Sequence, residues 1–198
     1  AMIRTLWSEE RVTIDGEYYT VKDATIYDRP DVPVPLYVGA SGPATTRYAG
    51  RLADGFITTS GKGDELYRDQ LLPALATGAE KAGRSVADLD LMIEMKVSFD
   101  DDADRALLDT RNWAALALSP EEKIHVHDPI EMQRLADELP IERAASRWIV
   151  DSDPEEHVAK IRHYLDLGFN HLVFHAPGTD QARFIELYGR EILPRLRA

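Results

Sequence analysis

The sequence predicts an α/β fold built on a parallel sheet, and three observations carry that reading. Short apolar runs alternate with amphipathic helical stretches, which is the rhythm of βαβ units. The 198 residues are 44% hydrophobic and 29% charged, enough apolar material for the core of one sizeable domain. The 12 glycines and 11 prolines are spread along the chain instead of being gathered in a low-complexity tract. Four strands are well marked, where a closed (β/α)8 barrel needs eight and typically about 250 residues. The chain is therefore either a small complete α/β sheet or the second half of a barrel.

The opening residues favour the half-barrel. Ala1-Met2-Ile3-Arg4-Thr5-Leu6-Trp7 reads as the last turns of an amphipathic helix with no start signal before it. From Arg11 to Ile26 the pattern alternates around Asp15-Gly16, which predicts a β-hairpin. The first strand of the parallel set is Pro35–Ala40, followed by Ser41-Gly42-Pro43 and a helix to about Ala53. Gly55–Thr59 is the second strand, followed by Ser60-Gly61-Lys62-Gly63 and helical pattern to about Ala82, with Pro73 set to kink or divide it. Leu89–Phe99 is the third strand, then a helix from Asp101 to Leu118 and helical pieces from Pro120 to Ala145.

Arg147–Val150 is a short extended piece before the best-marked helix. There Asp153 is the expected N-cap, Pro154 takes the first helical position, and Glu156 completes a capping-box-like pair. Val158, Ile161 and Leu165 line one face, and Gly168 is the stop. His171–His175 is the last strand, and Pro177-Gly178 turns into a closing helix through Leu187 and Ile192. A half-barrel of this kind would expose two sheet edges and a wide apolar face, so completion by another segment, pairing with a second copy, or partial order is expected.

Composition excludes several classes of function. The balance of 35 acidic to 23 basic residues, a net charge of -12, repels nucleic acid and anionic lipid, although a few focused cations can still hold a small anion. No apolar run reaches the ~20 residues of a membrane span, and no signal peptide is visible. The absence of Cys removes disulfides, thiolate zinc sites and cysteine nucleophiles, and fits a cytosolic protein.

Ligands of parallel α/β folds bind where strands end and helices begin. Two such junctions suit an anion: Gly39-Ala40-Ser41-Gly42-Pro43-Ala44-Thr45, where small residues and free helix N–H groups coincide, and Thr58-Thr59-Ser60-Gly61-Lys62-Gly63, with hydroxyls and a lysine. An ordinary turn with a helix start explains each of them equally well. Taken by spacing alone, Lys123 reads as a solvated helix charge and Arg147 as a structural ion-pair member. His125 and His127 flank Val126, and His171 and His175 share a strand face, but nothing brings the two pairs together and no metal site is expected. Glu94 and Lys96 share a face of the third strand and suit a buried supporting pair.

At these junctions the sequence resembles the actinobacterial F420-dependent glucose-6-phosphate dehydrogenases of the luciferase-like barrel superfamily. The matching stretches include Asp15-Gly16-Glu17-Tyr18-Tyr19, Asp54-Gly55-Phe56-Ile57, Thr59-Ser60-Gly61-Lys62-Gly63, Asp128-Pro129-Ile130-Glu131-Met132, Leu139-Pro140-Ile141-Glu142, Arg147-Trp148-Ile149-Val150 and Asn170–Gly178, and the similarity spans nearly the whole chain. The resemblance implies a (β/α)8 TIM barrel of the luciferase-like type. Residues 1–198 would then be the C-terminal part of one barrel domain, strands five to eight with an inserted helical segment, and the N-terminal half would be absent.

The implied activity is oxidation of glucose 6-phosphate to 6-phosphogluconolactone with hydride transfer to coenzyme F420, in a cytoplasmic homodimer; the acidic composition argues separately against nucleic-acid or membrane partners. The resemblance assigns the substrate phosphate to Thr59, Lys62, Lys123 and Arg147, and the cofactor to Ser41, Gly42, Ala44 and Thr45. Members of the family can carry Gly-Gly where this chain has Ser41-Gly42, and Val in place of Thr45. The family's catalytic His and Glu lie in the other half of the barrel, so no catalytic residue is assigned here and the chain alone is expected to be inactive. Two other readings stand beside this one: another luciferase-like F420- or FMN-dependent reductase or monooxygenase, and a half-barrel serving only as a binding or interface module.

Overall fold

Two units divide the chain, one ending at Leu36 and the other beginning at Tyr37. A computed structural model describes residues 2–197, so Ala1, the expected beginning of the opening helix, lies outside the described residues. The first unit holds helix α1 (Met2–Ser8) and the antiparallel strands β1 (Val12–Asp15) and β2 (Thr20–Ala24). The hairpin turns where Asp15-Gly16 predicts it. The Gly16 N–H donates to the Tyr19 carbonyl at 3.2 Å, and the Thr20 hydroxyl donates to Asp15 Oδ1 at 3.2 Å.

The second unit carries the parallel sheet. Strand β3 (Tyr37–Gly39) leads to helix α2 (Pro43–Leu52), β4 (Gly55–Thr59) to α3 (Leu72–Lys81), and the long β5 (Asp90–Phe99) to α4 (Ala103–Leu108). At Pro73 the helix is not broken but changes geometry: a wider π-helical turn over Leu66–Leu71 continues directly into regular α-helix at Leu72. A 3-10 stretch over Asp109–Ala117 and the short helices α5 (Pro120–Lys123), α6 (Pro129–Asp137) and α7 (Ile141–Ala145) make the helical excursion. Strand β6 (Ile149–Asp151), helix α8 (Pro154–Asp166), strand β7 (His171–His175) and helices α9 (Gln181–Leu187) and α10 (Leu193–Arg197) close the chain. Among the described residues no helix is long and apolar enough to cross a membrane.

Every pairing in this sheet is parallel. The order is β3-β4-β5, with β7 and β6 also paired to β5. Because side chains alternate along a strand, β5 sends Leu91, Ile93, Met95 and Val97 into the core that the flanking helices cover. Its other set, Asp90, Met92, Glu94 and Lys96, lines the opposite face. This corrects the expectation of a wide apolar face. The same alternation places Thr59, His171 and His175 there beside Ile57 and Val173, so the uncovered face of the sheet is largely polar.

The cap of α8 needs a second correction. Asp153 accepts from the Glu155 and Glu156 N–H groups as expected, at 2.8 and 3.3 Å. The reciprocal bond from Glu156 is not made, because the Asp153 N–H is already taken by Asp151 Oδ1 at 3.1 Å. Asp151 also binds Lys160 at 2.6 Å, so the turn is held by the residue two positions before the cap rather than by a capping box.

On the same helix His157 is completely buried, with Nε2 3.0 Å from the Tyr188 hydroxyl and Nδ1 without a partner among the described residues. Burial depresses its pKa to about 4. The unfolded chain therefore binds a proton through a range where the folded chain does not. Stability is fully present above pH ~6.5 and is lost as pH falls toward ~4. We expect this residue to cost about 2 kcal/mol between pH 7.5 and pH 5. Urea unfolding of His157→Phe should show a shallower acid loss than wild type, and equal slopes would count against a buried neutral imidazole.

Candidate functional site

The carboxyl ends of β3 and β4 converge beside the middle of β5, at Glu94. There α2 starts at Gly42 with Pro43 in its first turn, and no side chain caps it among the described residues. Ser41, Ala44 and Thr45 are exposed, and a Cβ at Gly42 would meet only open space. The Ala44 and Thr45 N–H groups are thus the orphan donors of a ten-residue helix, with no acidic residue in its first turn. A cavity of about 330 Å³ opens beside this start, lined by Gly39, Ser41, Ile57, Thr59 and Glu94 among others. It reaches from the first junction to the second.

The second junction is held by bonds on both sides. The Tyr67 hydroxyl donates to the Thr59 carbonyl at 2.8 Å. The Ser60 N–H donates to the Glu94 carbonyl, and the Lys96 N–H to Ser60 Oγ, each at 2.8 Å. Gly61 adopts φ +76°, and its N–H points to the Tyr164 hydroxyl at 3.4 Å. It lies flat on the Arg147 backbone, where a Cβ would overlap the Arg147 carbonyl. The loop bearing Thr59 and Lys62 is therefore seated on the residue that bears the guanidinium, although 85 or more positions separate them in sequence.

Arg147 donates to the Leu116 carbonyl at 3.4 Å, but its Nε is buried with no partner among the described residues, as are Thr58 Oγ1 and Trp148 Nε1. Lys123 ends α5, which a capping box at Ser119 starts and which Glu122 ties to Arg143 of α7. Among the described residues Lys123 itself makes only backbone hydrogen bonds, to Ser119 and Val126. The structure thus brings Thr59, Lys62 and Arg147 into one neighbourhood and does not join the Lys123 side chain to them.

A charged row that the sequence presented only as core support runs along this face. Glu94 Oε2 lies 3.7 Å from Lys96 Nζ, and Oε1 accepts from His175 Nδ1 at 2.8 Å. Lys96 is 6% exposed. Burial and the nearby positive charges of Arg147 and Lys62 push its ammonium below the ordinary lysine range, against the pull of Glu94. Lys62 and Arg147 thus each lie within electrostatic reach of Lys96. The His175 ring packs edge-on against Trp113 and Trp148, at 4.7 and 5.2 Å between centroids. The even spacing of Glu94 with Lys96 and of His171 with His175 was the available signal for the row.

The opposite end of the face has its own cluster. Asp90 accepts from the Tyr37 hydroxyl at 2.6 Å and from His171 Nδ1 at 2.8 Å, so the two histidines of β7 serve separate partners. Hydrogen bonds from Tyr37 and His171 hold the Asp90 carboxyl below the usual carboxylate range, outweighing its burial. No group of three His, Asp or Glu among the described residues is placed to hold a metal.

Chemically, the region offers cations and a hydroxyl at one junction, bare helix N–H groups at the other, and a carboxylate between them. The profile of the luciferase-like monooxygenase family matches residues 1–171. A Nakamurella multipartita protein named F420-dependent glucose-6-phosphate dehydrogenase is 71% identical over 197 residues, covering 100% of this chain and 58% of its own length. A Beutenbergia cavernae protein of the same name is 69% identical over 198 residues, covering 100% and 59%. The chain thus spans less than two thirds of the curated relatives it matches. Among solved structures, an F420-dependent secondary alcohol dehydrogenase bound to an F420-acetone adduct superposes with a TM-score of 0.84 at 27% identity, over 99% of this chain and 59% of that one.

Proposed function

Because the chain belongs to the luciferase-like monooxygenase family, we propose that it is the C-terminal part of an F420-dependent sugar-phosphate dehydrogenase acting on glucose 6-phosphate. Thr59, Lys62 and Arg147 bind the phosphate, with Lys123 closing over it from the helical excursion. Three cations and a hydroxyl can neutralise a phosphate dianion and supply its hydrogen-bond donors. The seating of the Thr59–Gly63 loop on the Arg147 carbonyl supports this reading, since it unites two pieces of the anion site that the sequence holds apart. The unpartnered Arg147 Nε is a donor awaiting an acceptor.

The open start of α2 fits an electron-rich edge of the deazaflavin. Ser41, Gly42, Ala44 and Thr45 would hold it, with the Ala44 and Thr45 N–H groups as donors. Coenzyme F420, when bound, supplies the hydride acceptor for oxidation at C1 of the sugar. This chain's own residues bind and orient: the anion site fixes one end of the substrate, and the cavity between the junctions aims the other end toward α2.

The general acid and base are read as lying outside these residues. The 198-residue chain alone is accordingly expected to give no turnover of glucose 6-phosphate with F420, followed by cofactor absorbance, and measurable reduction would contradict that assignment. Binding tests the reading independently of turnover. Calorimetric titration should detect inorganic phosphate and glucose 6-phosphate but not glucose at the same concentration, and equal responses to glucose and its phosphate would refute it.

A further inference from the structure

Thr59 of the proposed anion site lines one end of the cavity and Ser41 at the α2 start lines the other, but neither reading uses the carboxylate between them. Glu94 lines the same cavity as Ser41 and Thr59, and it is paired in register with Thr59 across the β4–β5 ladder. Its main chain is fixed by the Ser60 N–H, and its side chain is 30% exposed. Lys96 and His175 grip its two oxygens from the protein side. A carboxylate has about four acceptor positions, so this one keeps lone pairs for the cavity.

We propose that Glu94, held by Lys96 and His175, accepts hydrogen bonds from the ring hydroxyls of the sugar whose phosphate is bound at Thr59, Lys62 and Arg147. This inference rests on the phosphate-site reading and extends it to the neutral end of the substrate. An ionised carboxylate is an acceptor only, so it pairs with hydroxyl donors and repels a second anionic group. It selects a polyol with one phosphate over a bisphosphate. Lys96 and His175 are positioning residues: Lys96 is too deeply buried to meet the ligand, and His175 spends its Nδ1–H on Glu94 while its ring is clamped by two indoles.

The test compares two probes, inorganic phosphate and glucose 6-phosphate, titrated calorimetrically into wild type and Glu94→Gln. The variant is expected to bind phosphate within about twofold of wild type and glucose 6-phosphate about tenfold more weakly, the loss typical of a hydrogen bond to a charged group. His175→Phe, which keeps the ring packing but removes the donor, should show part of the same selective loss. His175→Asn, which restores a donor near the Nδ1 position, should recover it. A glucose 1,6-bisphosphate titration should show Glu94→Gln binding this probe more tightly than wild type.

Unchanged glucose 6-phosphate affinity in Glu94→Gln overturns the proposal. So does an equal loss for both probes, which would mean that Glu94 supports the loop and not the sugar. Failure of the underlying reading is seen separately: wild type would then bind inorganic phosphate no more tightly than Arg147→Ala does.

Discussion

Arg147→Ala, introduced into a chain of the relatives' full length, is expected to raise KM for glucose 6-phosphate about 100-fold, or about 2.7 kcal/mol. The guanidinium is the anion-site donor with the most geometric commitment. Its main chain supports Gly61, and its Nε is buried without a partner. Removing it leaves the phosphate dianion facing one cation fewer in a partly desolvated pocket, where charge-assisted bonds are strongest. The Ala variant keeps the backbone carbonyl on which Gly61 rests, so the loop should stay in place and kcat should fall less than kcat/KM. Arg147→Lys should recover only part of the loss, because an ammonium cannot present the planar fork. A KM unchanged within twofold in the Ala variant would remove Arg147 from the site.

Gly61→Val is the second large expectation, and it acts on the architecture of the site. A β-branched residue at φ +76° costs about 1–2 kcal/mol in backbone conformation alone. The added side chain would also overlap the Arg147 carbonyl, a backbone atom that cannot rotate away. Together these are expected to destabilise the protein by about 3 kcal/mol, read from urea unfolding. The same variant should abolish measurable phosphate binding, by parting Lys62 from Arg147. Gly83 provides the control. It also has positive φ, +67°, but open space around it, so Gly83→Ala should cost only the backbone term and leave phosphate binding intact. Gly61→Val binding phosphate as wild type does would show that the contact with Arg147 does not build the site.

Much of the fold was legible because its signals are local. Asp15-Gly16 between alternating runs is sufficient for the hairpin, Pro73 for the change of helix geometry, and Asp153-Pro154 for the start of α8. The capping box failed because its competitor, Asp151, belongs to the preceding strand, and local pattern cannot rank two carboxylates for one N–H. The apolar inner face failed for a related reason. Alternation fixes which residues share a face, but only strand pairing decides what surrounds that face.

The site was less legible. Ser41-Gly42 and Thr59–Gly63 announce themselves as junctions, whereas Lys123 and Arg147 came forward only through family resemblance, since nothing near them in sequence is a binding signal. The structure does seat Gly61 of the Thr59–Gly63 loop against the Arg147 backbone. It supplies no such contact for the Lys123 side chain among the described residues. The partnership of Glu94 with His175 spans 81 positions and depends on β5 and β7 pairing in one register, so periodicity could place each residue on a face but could not unite them.

A crystal structure of the protein with glucose 6-phosphate tests the central claim most directly. The account predicts the phosphate at the carboxyl end of β4, with its oxygens within hydrogen-bonding distance, about 3 Å, of the Thr59 hydroxyl, Lys62 Nζ and the Arg147 guanidinium, and with Lys123 Nζ brought over it. A phosphate bound elsewhere on the chain, with no oxygen in contact with Lys62 or Arg147, would contradict it.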